Sequence, residues 1–366
     1  MFHSFYKNKK VLVTGHTGFK GSWLVSWLRN LGADVYGFSE NILPFPSHYE
    51  LLNVKNKINH FEGDIRDTNL INNTMEEIKP DVVFHLAAQA IVSTSYSDPV
   101  GTISTNVLGT VNVLEALRKI EHKCAALIIT SDKCYENNEW IWGYREIDRL
   151  GGKDIYSASK ASAELLIRSY LESFFTENHK VSIAIARAGN VIGGGDWAKD
   201  RIVPDIYRSW SSNNSVEIRS PNSTRPWQHV LEPISGYLTL VEKLWSNRKY
   251  HAEAYNFGPL PNVDKSVIEL VKKLSDYWDK NNLENKYLLK EENVFSESKL
   301  LRLNCDKAYS DLSWAANLNF EQTAEFVGKW YADFYLYNKS AEELTFNNIK
   351  SFENLAKMKN LRWSHD

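Results

Sequence analysis

Val11-Leu12-Val13-Thr14-Gly15-His16-Thr17-Gly18-Phe19-Lys20-Gly21 passes from an apolar, β-branched run into three glycines, and Trp23, Leu24, Trp27, Leu28 and Leu31 follow at helical spacing. A strand, a glycine turn and a helix in that order form the first unit of a parallel α/β sheet. Glycines there turn the chain tightly, let the backbone approach a pyrophosphate, and leave helix N-terminal N–H groups to a phosphate. Gly32 stands where a helix C-terminus favours glycine. An isolated triplet of this kind would more often be a turn that binds nothing, but its place between strand and helix favours a dinucleotide.

Outward from this unit, short apolar runs alternate with amphipathic stretches. Strands are expected at Lys10–Thr14, Asp34–Phe38, Asn59–Glu62, Val82–Leu86, Ala125–Thr130 and Val181–Ala186. The fold class that follows is α/β, a Rossmann-type doubly wound parallel sheet with a smaller C-terminal substrate-binding lobe. A soft boundary falls where Gly193-Gly194-Gly195, Pro204, the stretch from Ser211 and Arg225-Pro226 change the texture. Residues 1–187 are read as the NAD-binding domain and 188–366 mainly as the second lobe, with Ala254–Phe257 a strand returning to the main sheet. The polar, helix-prone segment Lys339 to Asp366 carries no argument of its own.

The chain has 366 residues, and 43 Lys+Arg against 45 Asp+Glu leave a net charge of −2, so no nucleic-acid partner is implied. Ordinary globular composition, 43% hydrophobic and 24% charged, excludes a disordered or fibrous chain. Cys124, Cys134 and Cys305 are too scattered for a disulfide framework or a paired zinc site, so no metal is expected. The N-terminus lacks a secretory pattern and no apolar run approaches the ~20 residues that span a bilayer. A cytoplasmic protein without membrane attachment is the expectation.

Cofactor type rests on the end of the second strand, Phe38-Ser39-Glu40, where an acidic side chain about 20 residues on usually holds a ribose diol. Ser39 takes that place, so either Glu40 substitutes or the diol is held less strongly. From Gly32 to Glu50 there is no Lys or Arg for a 2′-phosphate, which favours NAD. The cofactor-binding set comprises Gly15, Thr17, Gly18, Phe19, Lys20, Gly21, Asp64, Ile65, Leu86, Ala87, Ala88, Gln89 and Asn106, together with Tyr156 and Lys160. Asp64 either accepts the adenine amino group, with Ile65 flanking the ring, or caps the following helix. Lys20 either reaches a phosphate or is solvated.

Tyr156-Ser157-Ala158-Ser159-Lys160 places a phenol and an ammonium four positions apart, on one face of a helix. The ammonium is expected to lower a tyrosine pKa that starts near ~10, so that the phenolate can take a hydroxyl proton. Thr130-Ser131-Asp132-Lys133-Cys134-Tyr135 closes the fifth strand, at the sheet edge where ligands meet residues. Ser131 can bond a substrate hydroxyl, and Asp132 and Lys133 offer a carboxyl and an amine to neighbouring carbons.

With GHTGFKGSWL from Gly15, TSDKCYEN from Thr130, YSASKA from Tyr156, ARAGNVIGGGDWAKDRIVPD from Ala186 and RSPNSTRPWQHVLEP from Arg219, the chain resembles the extended short-chain dehydrogenase/reductases. Within them it looks like the nucleotide-sugar 4,6-dehydratases, and most like the group acting on CDP-glucose. The resemblance covers roughly Lys10 to Phe257. It implies that Tyr156, helped by Lys160 and Ser131, removes the O4 proton while hydride leaves C4 for NAD. Water is then lost across C5 and C6, and hydride returns to C6. Asp132 matches the family's acid, whereas Lys133 stands where many relatives carry Glu, which leaves the C5 base open. The resemblance also implies Asn190, Arg201 and Arg225 as substrate-binding residues, Arg225 as a clamp for the diphosphate. Trp227 and His229 are expected near the base or sugar. It further implies a homodimer through helices near Val107–Lys119 and Ser157–Phe175, able to assemble further, and a role in deoxysugar and polysaccharide biosynthesis.

Two other readings compete. A nucleotide-sugar 4-epimerase or ketoreductase needs the Tyr–Lys pair but no acid for water loss, so Asp132-Lys133 speaks against it. A non-catalytic NAD-binding sensor need not keep Tyr156, Lys160 and Ser131 together.

Overall fold

The computed structural model describes residues 1–40, 46–218, 220–259, 264–278, 287–289 and 300–365. Seven strands build the main sheet: β1 (Lys10–Thr14), β2 (Asp34–Ser39), β3 (Asn59–Glu62), β4 (Val82–His85), β5 (Cys124–Ile129), β6 (Val181–Ala188) and β7 (Ala254–Phe257). Their order is β7-β6-β5-β4-β1-β2-β3, with every neighbouring pair parallel. The order reverses between β1 and β4, so the crevice for a ligand opens above the carboxyl ends of these two strands.

Alternation along the strands divides the core. Val11, Val13, Ala125, Leu127 and Ile129 face one apolar layer, while Leu12, Ala126 and Ile128 face the other. The first layer is covered by α1 (Phe19–Asn30), by α6 (Leu231–Ser246) and by the C-terminal α7 (Phe320–Leu336) and α8 (Ala341–Met358). The second is covered by α2 (Thr68–Ile78), α3 (Gly109–Arg118) and α4 (Ile155–Ser173). A further helix, α5 (Ile202–Ser211), follows β6 outside the sheet. Strands covered on both faces need apolar residues at successive positions, which is why they stand out in the sequence. Gly32 ends α1 at φ 79, the left-handed region that a side chain would disfavour.

The chain after residue 188 is not one continuous lobe, because α6 and β7 return to the main sheet. The segment from Lys339 onward is more informative folded than read. Ala341, Leu344, Thr345, Ile349, Phe352 and Ala356 recur at helical spacing and are buried. Trp27 of α1 donates its indole N–H to Glu353 at 2.8 Å, and Phe2, Trp27, Phe352 and Trp363 pack ring against ring. Both ends of the described chain thereby meet behind α1. No helix among the described residues is long and apolar enough to cross a membrane.

Candidate active site

The glycine loop is shaped by contact with the end of β4. Gly15 adopts φ +73, and a Cβ on it would lie 2.6 Å from the backbone nitrogen of Ala87. A Cβ on Gly21 would lie 2.3 Å from the carbonyl oxygen of Gly15. Gly18 is the N-cap of α1, and no side chain caps this terminus, which leaves its N–H groups facing the crevice. Leu86, Ala87, Ala88 and Gln89 line the β4 side, each half-buried. Thr17 and Ser39 share a hydroxyl hydrogen bond of 2.7 Å, so the serine at the end of β2 is tied to the loop. Glu40 is exposed and lies 3.9 Å from Arg66, which also pairs with Asp64. Arg66 therefore brings a cation to this edge from outside the Gly32–Glu50 window, already balanced by two carboxylates.

One of the two alternatives for Asp64 is excluded at this edge. Asp64 does not cap α2; Asp67 does, accepting the backbone N–H groups of Asn69 and Leu70, while Asp64 holds Arg66. Ile65 is 5% exposed and packs toward Gly109 in the sheet–helix core. Asn106, read as a cofactor contact, has its amide fully engaged. Its oxygen accepts from the Gln89 N–H, and its nitrogen donates to the Gln89 carbonyl and to Ser159 Oγ. It acts by fixing the end of β4 against α4.

The reactive groups gather where β5 ends and α4 begins. Ser131 caps a single 3-10 turn, Asp132–Cys134; its hydroxyl donates to Asp132 at 2.9 Å and accepts the Lys133 N–H. The phenol of Tyr156 lies beside the same serine, and burial pushes it up to about 12, Asp132 adding to the rise while Ser131 and Arg201 oppose it. Lys160, one turn on, is pushed down to about 8 by burial, against the pull of Cys134 and Glu164. The expected lowering of the phenol by Lys160 is not what the structure gives: desolvation of the buried phenol dominates, and the opposing charge comes from Arg201. Asp132 is 5% exposed, and burial raises its carboxyl above the ordinary range, with Lys133 and Ser131 holding it back. A carboxyl held toward its protonated form is suited to give a proton. Lys133 is half-buried on the same turn.

Lys20 points inward rather than into solvent. Its ammonium donates to the Tyr237 hydroxyl at 3.3 Å, and burial, with Arg201 and Lys160 nearby, pushes it down to about 8. Arg201 stands just before α5, paired with Asp196 at 2.9 Å. Asn190 is exposed beyond the end of β6. Arg225 is half-buried on the short strand Thr224–Pro226, antiparallel to Asp264–Ser266. Trp227 is 4% exposed, with its indole N–H given to the Lys265 carbonyl. His229 is a correction: it is fully buried between the rings of Trp23 and Phe326, a core side chain with no surface for a base or sugar.

The GDP-mannose 4,6-dehydratase family model matches residues 12–327, a span that includes the glycine loop, the 131–133 turn and the Tyr156–Lys160 pair. The chain belongs to that family. It is 45% identical, over 90% of its length and 92% of the relative's, to CDP-glucose 4,6-dehydratase from Salmonella typhimurium. Among solved structures, DesIV, a dTDP-glucose 4,6-dehydratase from Streptomyces venezuelae with NAD and TYD bound, covers 90% of this chain and 98% of its own at TM-score 0.75 and 19% identity. UDP-glucose 4-epimerase from Thermotoga maritima matches over 90% and 99% at the same TM-score and 21% identity. At such identities the two structures share its fold.

Three residues in this member of the 4,6-dehydratase family escaped the sequence reading. A Cβ on Gly189 would lie 3.1 Å from the Asp132 carboxylate, so a side chain here would press on that group. Gln228 comes beside it because Gln228–His229 pairs with Val191–Ile192. Arg187, fully buried in β6, is the third; an arginine inside the apolar run VSIAIARA was its visible signal.

Proposed function

We propose that the protein is an NAD-dependent hydro-lyase that converts CDP-D-glucose to CDP-4-dehydro-6-deoxy-D-glucose and water. The observation that carries this reading is the single buried cluster of Tyr156, Ser131 and Asp132, in a chain 45% identical to a CDP-glucose 4,6-dehydratase. An epimerase needs the phenol but has no use for an acid at Asp132.

The site fits NAD on its own geometry. The glycine cradle excludes any Cβ at Gly15 and Gly21, and the α1 N-terminus carries no side-chain cap. Lys160 is buried and makes no hydrogen bond or ion pair among the described residues, which leaves its ammonium for ribose hydroxyls. Gly15, Thr17, Gly18 and Gly21 would hold the pyrophosphate side, and Leu86 to Gln89 the side along β4. When bound, NAD supplies the acceptor for the C4 hydride and the donor that returns it to C6.

This chain's residues move the protons. Ser131 orients the C4 hydroxyl, and Tyr156, as the phenolate that the Arg201 charge favours against burial, takes its proton. The C4 ketone acidifies C5–H; Lys133, beside Asp132, is our candidate to receive that proton, entering the step as the neutral amine and leaving it as the ammonium. Asp132 protonates the departing C6 hydroxyl. Arg225 clamps the diphosphate from its hairpin, with Asn190 and Arg201 bordering the sugar. In this reading residues 1–187 form the cofactor domain, and the segments of 188–366 outside the main sheet form the substrate lobe.

The working protein is cytoplasmic and a homodimer. The dimer reading is supported by Tyr96, Val100, Ile103, Leu108 and Leu165, all exposed and all on helical segments beside α3 and α4. Sedimentation of Leu165→Glu should show loss of the dimer; an unchanged dimer would place the contact elsewhere.

Mass spectrometry of products, after incubation with NAD and separately CDP-, GDP-, UDP- and dTDP-glucose, tests the function. Loss of one water from CDP-glucose alone is expected. Water loss from none of them would move the reading to epimerisation or cofactor sensing.

A further inference from the structure

Behind the catalytic turn lies an ion pair that touches no reacting group. Glu164 and Arg187 are both fully buried, and the guanidinium meets the carboxylate with two nitrogens. Desolvation draws the guanidinium pKa down, but Glu164 holds it above its ordinary value, so the arginine stays charged. A buried pair of this kind is a poor source of stability against an apolar substitute, which asks what else it does.

Its remaining bonds answer that. Thr130, the residue before Ser131, donates its hydroxyl to Glu164 Oε1 at 2.6 Å. The thiol of Cys134 faces the same carboxylate. Arg187 Nη1 donates to the Tyr135 hydroxyl at 2.6 Å and to the Glu146 carbonyl at 3.0 Å, and its guanidinium lies over the Tyr135 ring. The Tyr135 hydroxyl in turn donates to Asn256 of β7, which pairs in register with Arg187. Ser131, Asp132, Lys133 and Cys134 are thus the span between two anchors, Thr130 and Tyr135, both fastened to one ion pair. Glu164 itself sits one helical turn beyond Lys160 and two beyond Tyr156 on α4.

We propose that Glu164 and Arg187 are positioning residues, an internal clamp that sets the Ser131–Lys133 turn against the Tyr156–Lys160 face of α4. Thr130 and Tyr135 are its two fastenings. One turn carries both the oxidation residue Ser131 and the elimination residue Asp132, so the clamp serves both halves of the reaction. The kinetic part of this inference rests on the dehydratase reading above; the structural part does not.

Removing Glu164 would strand a buried cation and unfold the protein, so the test uses the fastenings. Thr130→Val and Tyr135→Phe each delete one hydroxyl and leave the ion pair in place, while Thr130→Ser keeps the hydroxyl. The expected result for Thr130→Val is a fall in kcat of about 10-fold or more, of the kind a small misplacement produces. KM for CDP-glucose should stay within about twofold, and Thr130→Ser should restore the rate. In single turnovers, appearance of reduced cofactor absorbance and water loss should slow together. Hydrogen exchange of the peptide spanning 131–135 should rise in Thr130→Val and Tyr135→Phe, with β1 unchanged. Wild-type kcat and unchanged exchange in both variants would overturn the clamp. So would a loss that Thr130→Ser does not restore. If the wild type does not dehydrate CDP-glucose yet the local exchange still rises, the clamp stands and the functional reading falls.

Discussion

In the proposed reaction Asp132 has to give up a proton at a pH where most aspartates have none to give. Its place under the sheet edge solves this by burial, which raises the carboxyl, while Ser131 and Lys133 hold the rise in check. Asp132→Asn keeps the shape and removes the acid. Water loss should fall by about 10²-fold or more, while C4 oxidation persists and reduced cofactor accumulates in stopped-flow absorbance. Dehydration at the parental rate would remove Asp132 from the acid role. At this scale the sequence displayed the groups but not their environments. Tyr156, Lys160, Ser131 and Asp132 were legible from order and spacing. That the phenol's opposing charge comes from Arg201, 45 positions on in the chain numbering, was not, because it depends on how the chain returns over α4. His229 failed for the same reason: histidine suits a ligand and a core equally well, and only the packing of Trp23 and Phe326 decides.

The glycine loop is the element in which local rule and tertiary contact agree most closely. Gly15 is required twice, by its positive φ and by the backbone of Ala87. Gly15→Ala therefore carries about 1–2 kcal/mol of backbone strain and a backbone clash besides. It should lower Tm by several degrees and weaken NAD binding at least about tenfold, read by thermal melting and titration calorimetry. Gly18→Ala is the contrast, since its Cβ would meet only the Gly15 carbonyl oxygen, at 3.4 Å, and should leave Tm nearly unchanged. Equal effects of the two would sink the argument. Strands were readable for a related reason. β1 and β7 begin and end where apolar runs meet turn residues, at Lys10–Thr14 and Ala254–Phe257, whereas the edge strand β3, Asn59–Glu62, carries a single apolar residue, Phe61. Helix α8 was passed over because its exposed face is strongly polar, and that polarity masked the buried stripe ending in Phe352 and Ala356.

Across the whole molecule, buried histidines stand against the acids that burial raises, Asp132, Glu146, Glu232 and Glu353, of which Glu232 alone reaches about 7. His16, His48, His85 and His229 are all buried, and burial pushes each down to about 3. A histidine with a depressed folded pKa binds its proton more readily when unfolded. Each therefore contributes stability that is complete above about 6.5 and drains away toward about 3, at roughly 1.4 kcal/mol per pH unit. Glu232, pushed up to about 7 by burial, has the opposite sign, as does Asp132; Lys20 and Lys160 act only above about 8. The balance predicts a Tm that falls by something of the order of 5–10 °C between pH 7 and pH 5. A Tm that is flat or higher at pH 5 would contradict it. The aromatic cluster behind α1 bears on how the chain is made. Trp27 bonds Glu353 across 326 residues, and Phe2 stacks on Trp363. On the ribosome, the outer face of α1 must therefore wait, with Trp27 uncovered, until the residues of α8 and Trp363 have been translated. The late-arriving α8 acts as a closing latch, and a nascent chain cut short before it would present that bare aromatic face to chaperones or to other unfinished copies of itself.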